Sequence, residues 1–273
     1  MTMSFSVCMS VYKNDNPTDF KEAVLSIYNQ TCPPDEIILV IDGPVPDIML
    51  NTIETLAEKT GIMKVIPLPK NMGHAIARQT GLEAAKNELC AVMDADDLAV
   101  ATRFEKQLKA FEEHPEVSVV GGLINEFIHT TDNAAGTRIV PEKDSDIKEY
   151  LKSRCPMNLM TVMLKKSDVL KVGGYQDWYC EEDYYLWIRL ALGGYKFYNI
   201  QENLVNVRVG EEMYQRRGGK KYFASEARLQ KYMLDHKLIS LPKYAYNVLI
   251  RWAVQVAMPN WLRGWVFRTF ARN

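Results

Sequence analysis

Short apolar runs and amphipathic stretches alternate along the first hundred residues of the chain. Phe5–Ser10 (FSVCMS) is a compact strand pattern. After it, Asn16 is placed to cap a helix with Pro17 at its first position, and Phe20, Ala23, Val24, Ile27 and Tyr28 recur at helical spacing. Glu36–Ile41 (EIILVI) has the unbroken apolar character of a strand buried on both faces. The pattern then predicts a helix over Ile48–Lys59, a strand over Met63–Pro67, an alanine-rich helix over Gly73–Lys86 and a strand over Leu89–Met93. This alternation predicts an α/β fold, a mostly parallel sheet with helices on both faces. Open sheets of this kind bind ligands beyond the carboxyl ends of their strands. Tyr12, Asp42 and Asp94 each lie just after a predicted strand, so they are expected to converge on one sheet edge.

Beyond residue 100 the pattern loosens. A helix is expected over Thr102–His114, with Phe104, Leu108 and Phe111 on one side. Val117–Gly121 and Glu126–Thr130 read as two strands, Asp132–Gly136 as a loop, and Thr161–Leu164 as a short strand. Glu182–Leu192 reads as a helix carrying Trp187, Ile188 and Ala191 on one side, while Gly173-Gly174 and Gly193-Gly194 read as turns.

Composition narrows the class. With 273 residues the chain can build one large domain, or one domain with an appended piece. Its 47% hydrophobic and 25% charged residues are ordinary for a folded soluble protein, and a net charge of −1 supplies no global basic field for nucleic acid. The five cysteines lie far apart with no C-x-x-C pair, which argues against a disulfide framework or a zinc site and fits a reducing compartment. SFSVCMS has no basic flank of the kind that opens a signal peptide, and no apolar run reaches the length of a membrane span. The expected setting is the cytoplasm.

The run Ala91–Val100 (AVMDADDLAV) sets three carboxylates, Asp94, Asp96 and Asp97, directly behind an apolar strand. By itself the run admits two readings. Asp94 and Asp96 can cap and turn the chain into the Thr102–His114 helix. Alternatively they bind a hard cation such as Mg²⁺ or Mn²⁺, which takes one or two carboxylates and completes its shell on substrate phosphates.

Four segments, in order, resemble glycosyltransferase family 2. SVCMSVYKND resembles the family's first strand and loop, with Tyr12 at the aromatic position and Lys13 in place of the usual Asn. EIILVIDGP resembles its second strand and acidic turn, with Asp42 at the second acidic position and Ile41 replacing the first. NMGHAIARQTGLEAAKNELCAVMDADD resembles its central signature through Asn71, Gly73, Ala77, Arg78, Gly81 and the acidic run. CEEDYYLWIRLALGG resembles its acceptor-side helix, where an acidic pair precedes Leu-Trp and Arg-Leu. The resemblance spans nearly residues 4–222.

What the resemblance implies is specific. The fold would be GT-A, with a nucleotide-binding half over residues 1–100, an acceptor half over 101–222 and a helical tail over 223–273. The activity would be inverting, metal-dependent transfer of a hexosyl group from a UDP- or dTDP-sugar to a saccharide or lipid-linked saccharide, in surface polysaccharide biosynthesis. Tyr12 would stack on the base and Asp42 would accept from uracil N3–H. Arg78 would meet the base or the diphosphate, Asp94 the ribose, and Asp96 the Mn²⁺ or Mg²⁺ ion. Asp183 would be the general base, since direct displacement needs a carboxylate that takes the acceptor proton opposite the leaving group. Glu182 and Trp187 would lie on the acceptor side.

The chain departs from the family pattern in two places. Leu159 follows Asn158 where a His is frequent, and Gly210 in VRVG stands where many members place a His that completes the metal shell. Met213–Tyr222 gathers Arg216, Arg217, Lys220 and Lys221 around Gly218-Gly219, either as a basic loop over the diphosphate or as a solvated charge run. His74, His114, His129 and His236 show no ligand spacing and read as surface or packing residues. From Leu241 onward there is no acidic residue, and Lys243, Arg251, Arg263, Arg268 and Arg272 interleave with Trp252, Trp261, Trp265, Phe267 and Phe270. That composition suits an interfacial membrane anchor, or a helix packed on the domain or at a dimer interface. Two other classes share parts of these features. A sugar nucleotidyltransferase should carry a G-x-G-T-R-like loop after its first strand, where this chain has SVYKND. A non-catalytic nucleotide-sugar-binding protein would have no need of Asp96 and Asp183.

Overall fold

A computed structural model describes residues 3–128, 130–131, 134–210 and 219–258. Among them the strands form one nine-stranded sheet in the order β3 (Met63–Pro67), β2 (Glu36–Ile41), β1 (Phe5–Val11), β4 (Leu89–Val92), β8 (Met163–Lys165), β6 (Val117–Phe127), β9 (Lys196–Arg208), β5 (Leu98–Ala99), with β7 (Ala134–Arg138) paired to β6. The first part follows the expected alternation closely: β1 (Phe5–Val11), α1 (Pro17–Tyr28), β2 (Glu36–Ile41), α2 (Asp47–Thr60), β3 (Met63–Pro67), α3 (His74–Ala84) and β4 (Leu89–Val92). β1 pairs in parallel with β2 and with β4, and β2 with β3. Asn16 caps α1 as its sequence position predicts, its Oδ1 accepting from Thr18 N at 2.8 Å and Asp19 N at 3.4 Å with Pro17 behind it. A cap of this kind contributes about 1 kcal/mol.

The second part is mixed. It comprises β5 (Leu98–Ala99), α4 (Arg103–Glu113), β6 (Val117–Phe127), β7 (Ala134–Arg138), α5 (Asp144–Leu151), a 3₁₀ turn over Leu159–Thr161, β8 (Met163–Lys165), α6 (Lys166–Lys171), α7 (Glu182–Leu192) and β9 (Lys196–Arg208). β8 runs antiparallel to both β4 and β6, β6 runs parallel to β9, and β5 closes the far edge antiparallel to β9.

Two expectations are corrected here. Gly121-Gly122 does not end a strand; one strand runs through it from Val117 to Phe127. The glycines answer close packing, since a Cβ at Gly121 would lie 2.5 Å from Asn199 Oδ1 and one at Gly122 would lie 2.4 Å from Leu204 Cδ1. Where the expected loop Asp132–Gly136 falls within the described residues, it is the start of β7, paired with the end of β6.

Two apolar layers flank the sheet. One buries Phe20, Val24 and Ile27 of α1, Met49 and Ile53 of α2, and Phe104 and Phe111 of α4 against β1, β2 and β6. The other buries Leu82 of α3, Leu186, Trp187 and Leu190 of α7, and Leu229 and Met233 from a C-terminal helix pair. That pair is α8 (Lys220–Asp235) and α9 (Leu241–Trp252), followed by a π-helical turn over Ala253–Ala257. Trp178 Nε1 donates to Ser225 O at 3.2 Å, which fixes α8 to the segment leading into α7. Among the described residues no helix is long and apolar enough to cross a membrane.

Candidate active site

The carboxyl ends of β1, β2 and β4 open into a cleft of about 540 Å³ lined by Tyr12, Asp15, Asp42, His74, Arg78, Asp94 and Asp96, among others. The expected convergence is present. A volume of this order suits a ligand of nucleotide size.

Asp42 ends β2 and is nearly buried. Its Oδ1 accepts from Met72 N at 2.6 Å and its Oδ2 from Gly73 N at 3.0 Å, so the carboxylate ties the turn after β2 to the start of α3. Gly43 makes that approach possible: its φ is +84°, and a Cβ there would lie 2.4 Å from Asn71 N. Each carboxylate oxygen keeps a further lone pair for a ligand.

Tyr12 is half-buried behind β1, with its ring in edge contact with His74 at 6.5 Å between centroids. Its N–H donates to Asp15 Oδ2 at 2.9 Å. His74 is exposed on the surface, yet it lines this cleft rather than packing elsewhere. Neither Asp15 nor His74 stood out in the sequence, because neither belongs to a spaced pair of ligand types. Their common signal is position: Asp15 follows the β1 loop and His74 opens α3.

The acidic run lies where β4 leaves the sheet. Asp97 is buried, accepts from Arg208 N at 2.9 Å, and has its carboxyl pushed well up by burial and by Asp94 and Asp96. Asp96 opens to the cleft but is walled by protein on its other sides; that desolvation, with Asp94 and Asp15, raises its carboxyl to about 6. Asp15 is likewise raised to about 6, by burial first and Asp94 second, against a lowering by the Tyr12 N–H and His74. Beneath the run, Arg103 is fully buried, donating to Val92 O at 2.8 Å and Gln107 Oε1 at 3.1 Å; burial lowers it to about 9 against the pull of Asp94 and Asp97. Arg208 flanks the run, donating to Asp96 O at 3.2 Å and to Glu22 Oε2 at 2.9 Å. Both arginines were invisible as site residues in the sequence, since each reaches the run from a distant element.

These carboxylates suit a hard cation. Burial first, and then the charge of Asp94, makes Asp96 and Asp15 resist ionisation, and no group of three or more His, Cys, Asp or Glu side chains that could hold a metal occurs among the described residues. An ion with few protein ligands, completed by phosphate oxygens and water, is the usual Mg²⁺ or Mn²⁺ arrangement. Gly210, where a His was absent from the sequence pattern, is exposed.

Arg78 connects the two halves. From α3 its NH1 donates to Glu182 Oε1 at 2.6 Å and its NH2 reaches Asp94 Oδ1 at 3.4 Å. Burial alone would lower this guanidinium, but Asp94 and Glu182 raise it above its ordinary value. Asp183 is half-buried beside Glu182 at the start of α7. Its Oδ1 accepts from Tyr184 N at 2.7 Å, and Cys155 Sγ lies 3.7 Å from its Oδ2. Burial, then Glu182, raises the Asp183 carboxyl above the usual carboxylate range, against the pull of Arg78.

Trp187 is corrected. It is fully buried in the second apolar layer, so it seats α7 rather than touching an acceptor. Arg216 and Arg217 lie outside the described residues.

A family model described as Glycosyl transferase family 2 matches residues 6–170. The chain belongs to glycosyltransferase family 2. It is 37% identical to an uncharacterized glycosyltransferase of Haemophilus influenzae over 99% of this chain and 100% of that one. It is 34% identical to UDP-Gal:alpha-D-GlcNAc-diphosphoundecaprenol beta-1,3-galactosyltransferase of Escherichia coli, over 100% of this chain and 98% of that one. Among solved structures, S. aureus TarS 1-349 in complex with UDP-GlcNAc aligns with a TM-score of 0.65 at 16% identity, over 92% of this chain and 73% of that one. Mannosyltransferase PcManGT from Pyrobaculum calidifontis, in complex with GDP-Man and Mn²⁺, aligns with a TM-score of 0.62 at 17% identity, over 97% and 78%. The fold of this family 2 glycosyltransferase is therefore GT-A, and the chain is an enzyme of sugar transfer whose relatives include enzymes of polysaccharide and lipid-linked sugar assembly.

Proposed function

We propose that the enzyme transfers a hexosyl group, with inversion, from a UDP-sugar or the closely similar dTDP-sugar to a lipid-diphosphate-linked saccharide. The reaction would serve surface polysaccharide assembly at the cytoplasmic face of a membrane. The observation that carries this reading is the Arg78 bridge. One guanidinium holds both Asp94, which lines the cleft, and Glu182, at the start of the helix that bears Asp183, and this supports a donor site and an acceptor site set side by side.

In this reading the base lies against Tyr12, and Asp42 accepts from uracil N3–H, a donor that cytosine lacks. Asp94 binds the ribose, Arg78 meets the donor beside it, and Asp96 holds Mn²⁺ or Mg²⁺. The ion supplies charge neutralisation on the departing diphosphate. Asp183 takes the proton from the acceptor hydroxyl as that oxygen attacks C1 of the donor sugar. Burial and Glu182 raise its carboxyl, which makes it a stronger base than an ordinary carboxylate. Support for the donor and acceptor classes comes from the E. coli relative's UDP-Gal and diphosphoundecaprenol substrates and from the UDP-GlcNAc bound to TarS.

The test is calorimetry against UDP-, dTDP-, CDP- and GDP-sugars, with and without Mn²⁺. Saturation at a hundredfold above the dissociation constant should stabilise the fold by about 2.7 kcal/mol for uridine donors. Equal stabilisation by CDP- and GDP-sugars would overturn the donor assignment.

A further inference from the structure

Helix α9 is built inside out. At about 100° per residue, Leu241, Pro242, Ala245, Tyr246, Leu249 and Trp252 fall within one ~140° arc. That arc faces solvent: Leu241 is 65% exposed, Leu249 64%, Tyr246 61% and Trp252 48%. The polar side chains point into the protein instead. Asn247 Nδ2 donates to Lys152 O at 2.8 Å and to Gln230 Oε1 at 2.7 Å. Arg251 NH2 donates to Ser153 O at 2.6 Å, and its Nε lies 3.1 Å from Glu226 Oε2. A helix that merely covers a soluble domain has the opposite arrangement, with its apolar stripe on the core. A contiguous exposed apolar face marks an interaction surface.

We propose that this face of α9 docks on an anionic lipid bilayer. Charge selects the occupant. Lys243 borders the arc, and by sequence residues 241–273 carry four further cations, the inward-turned Arg251 among them, and no acidic residue. An isologous contact between two copies would bring Lys243 no acidic partner from this segment. A bilayer of anionic lipid accepts both the apolar arc and the cations.

Placement gives the docking a purpose, which rests on the reading that the acceptor is lipid-linked. The inward side of α9 is fastened to the carbonyls of Lys152 and Ser153. Two residues along, Cys155 lies against Asp183. A bilayer seated under α9 therefore meets the acceptor half of the enzyme, and a lipid-borne saccharide approaches from that side.

The experiment is co-sedimentation of the full chain with vesicles of phosphatidylcholine alone and of phosphatidylcholine mixed with phosphatidylglycerol. The variant carries Leu249→Glu and Trp252→Glu, both at exposed positions outside the donor cleft. The native chain is expected to bind the anionic vesicles, and the variant to bind them on the order of tenfold or more weakly. Melting temperature and UDP-sugar affinity should stay unchanged. Hydrogen exchange of the native chain provides a second readout, with residues 241–252 gaining protection when anionic vesicles are added. Undiminished binding by the variant, or no binding by the native chain, overturns the proposal. So does a native dimer that the variant dissociates while vesicle binding persists, because a second copy then occupies the face. Vesicle binding by a chain that ignores UDP-sugars would sink the donor reading and leave the docking surface standing.

Discussion

Arg78 of α3 and Glu182 of α7 meet at 2.6 Å, tying the helix ahead of β4 to the helix that bears Asp183. Both side chains are largely shielded, so each depends on the other for compensation of its charge. Arg78→Met should therefore destabilise the fold by about 1–3 kcal/mol. It should also weaken UDP-sugar binding, because Asp94 loses the guanidinium that reaches it at 3.4 Å. Combining it with Glu182→Gln should recover part of the stability and none of the affinity. Urea unfolding and calorimetry on the double-mutant cycle measure both; additive stability losses would show that the pair is not coupled.

Asp42 has two tasks in this account, and substitution separates them. Asp42→Ala leaves Met72 N and Gly73 N without their acceptor, with an expected loss of about 1–3 kcal/mol in unfolding free energy. The same variant should bind UDP and CDP alike. A variant that is less stable but still prefers UDP would make Asp42 a turn residue only.

The acidic run predicts an inverse relation between stability and pH. Asp96 and Asp15 titrate near 6 in the fold against 3.8 in the unfolded chain, so the folded state holds the extra protons between those values. Stability without ligand should then fall as pH rises from about 4 through about 6, and the penalty is complete above that range. Asp96→Asn should raise the melting temperature at pH 7.5 while abolishing any Mn²⁺-dependent gain from UDP. A variant with no higher melting temperature and an intact Mn²⁺ effect would remove Asp96 from the metal site.

The first hundred residues were legible because their strands are apolar runs that pair with near neighbours in the chain. Glu36–Ile41 and Met63–Pro67 have the boundaries their pattern predicts. The residues after them were less so. β9 alternates polar and apolar residues irregularly and pairs with β6 across register shifts, and its two-residue partner β5 carries too little pattern to detect. The strand over Val117–Gly121 was expected to stop at the glycines because sequence does not reveal which side chain will press on a backbone. At the site, residues that follow strands (Tyr12, Asp42, Asp94) could be placed from order alone. Arg103 and Arg208 could not, since each acts on the acidic run through tertiary contacts. Trp187 stands one turn beyond Asp183 on the same helix, and only packing shows that it is fully buried in the apolar layer.

Glu182 should tune its neighbour. Its charge is the second cause, after burial, of the raised Asp183 carboxyl. Activity should fall as pH drops through that raised value, because the base becomes protonated. Glu182→Gln removes the repulsion but also frees Arg78, whose pull lowers Asp183, so both effects move the acidic limb to lower pH. An acidic limb that stays in place would detach Glu182 from the base.

The most direct test of the account is Asp183→Asn, assayed with a uridine-diphosphate sugar and a lipid-diphosphate-linked saccharide acceptor alongside UDP-sugar calorimetry. Asparagine keeps the hydrogen bond from Tyr184 N and the side-chain shape, and removes the basicity. Turnover should fall by on the order of 10²–10⁴ while donor affinity is nearly unchanged. Turnover close to that of the native enzyme would contradict the assignment of Asp183 as the base that drives direct displacement.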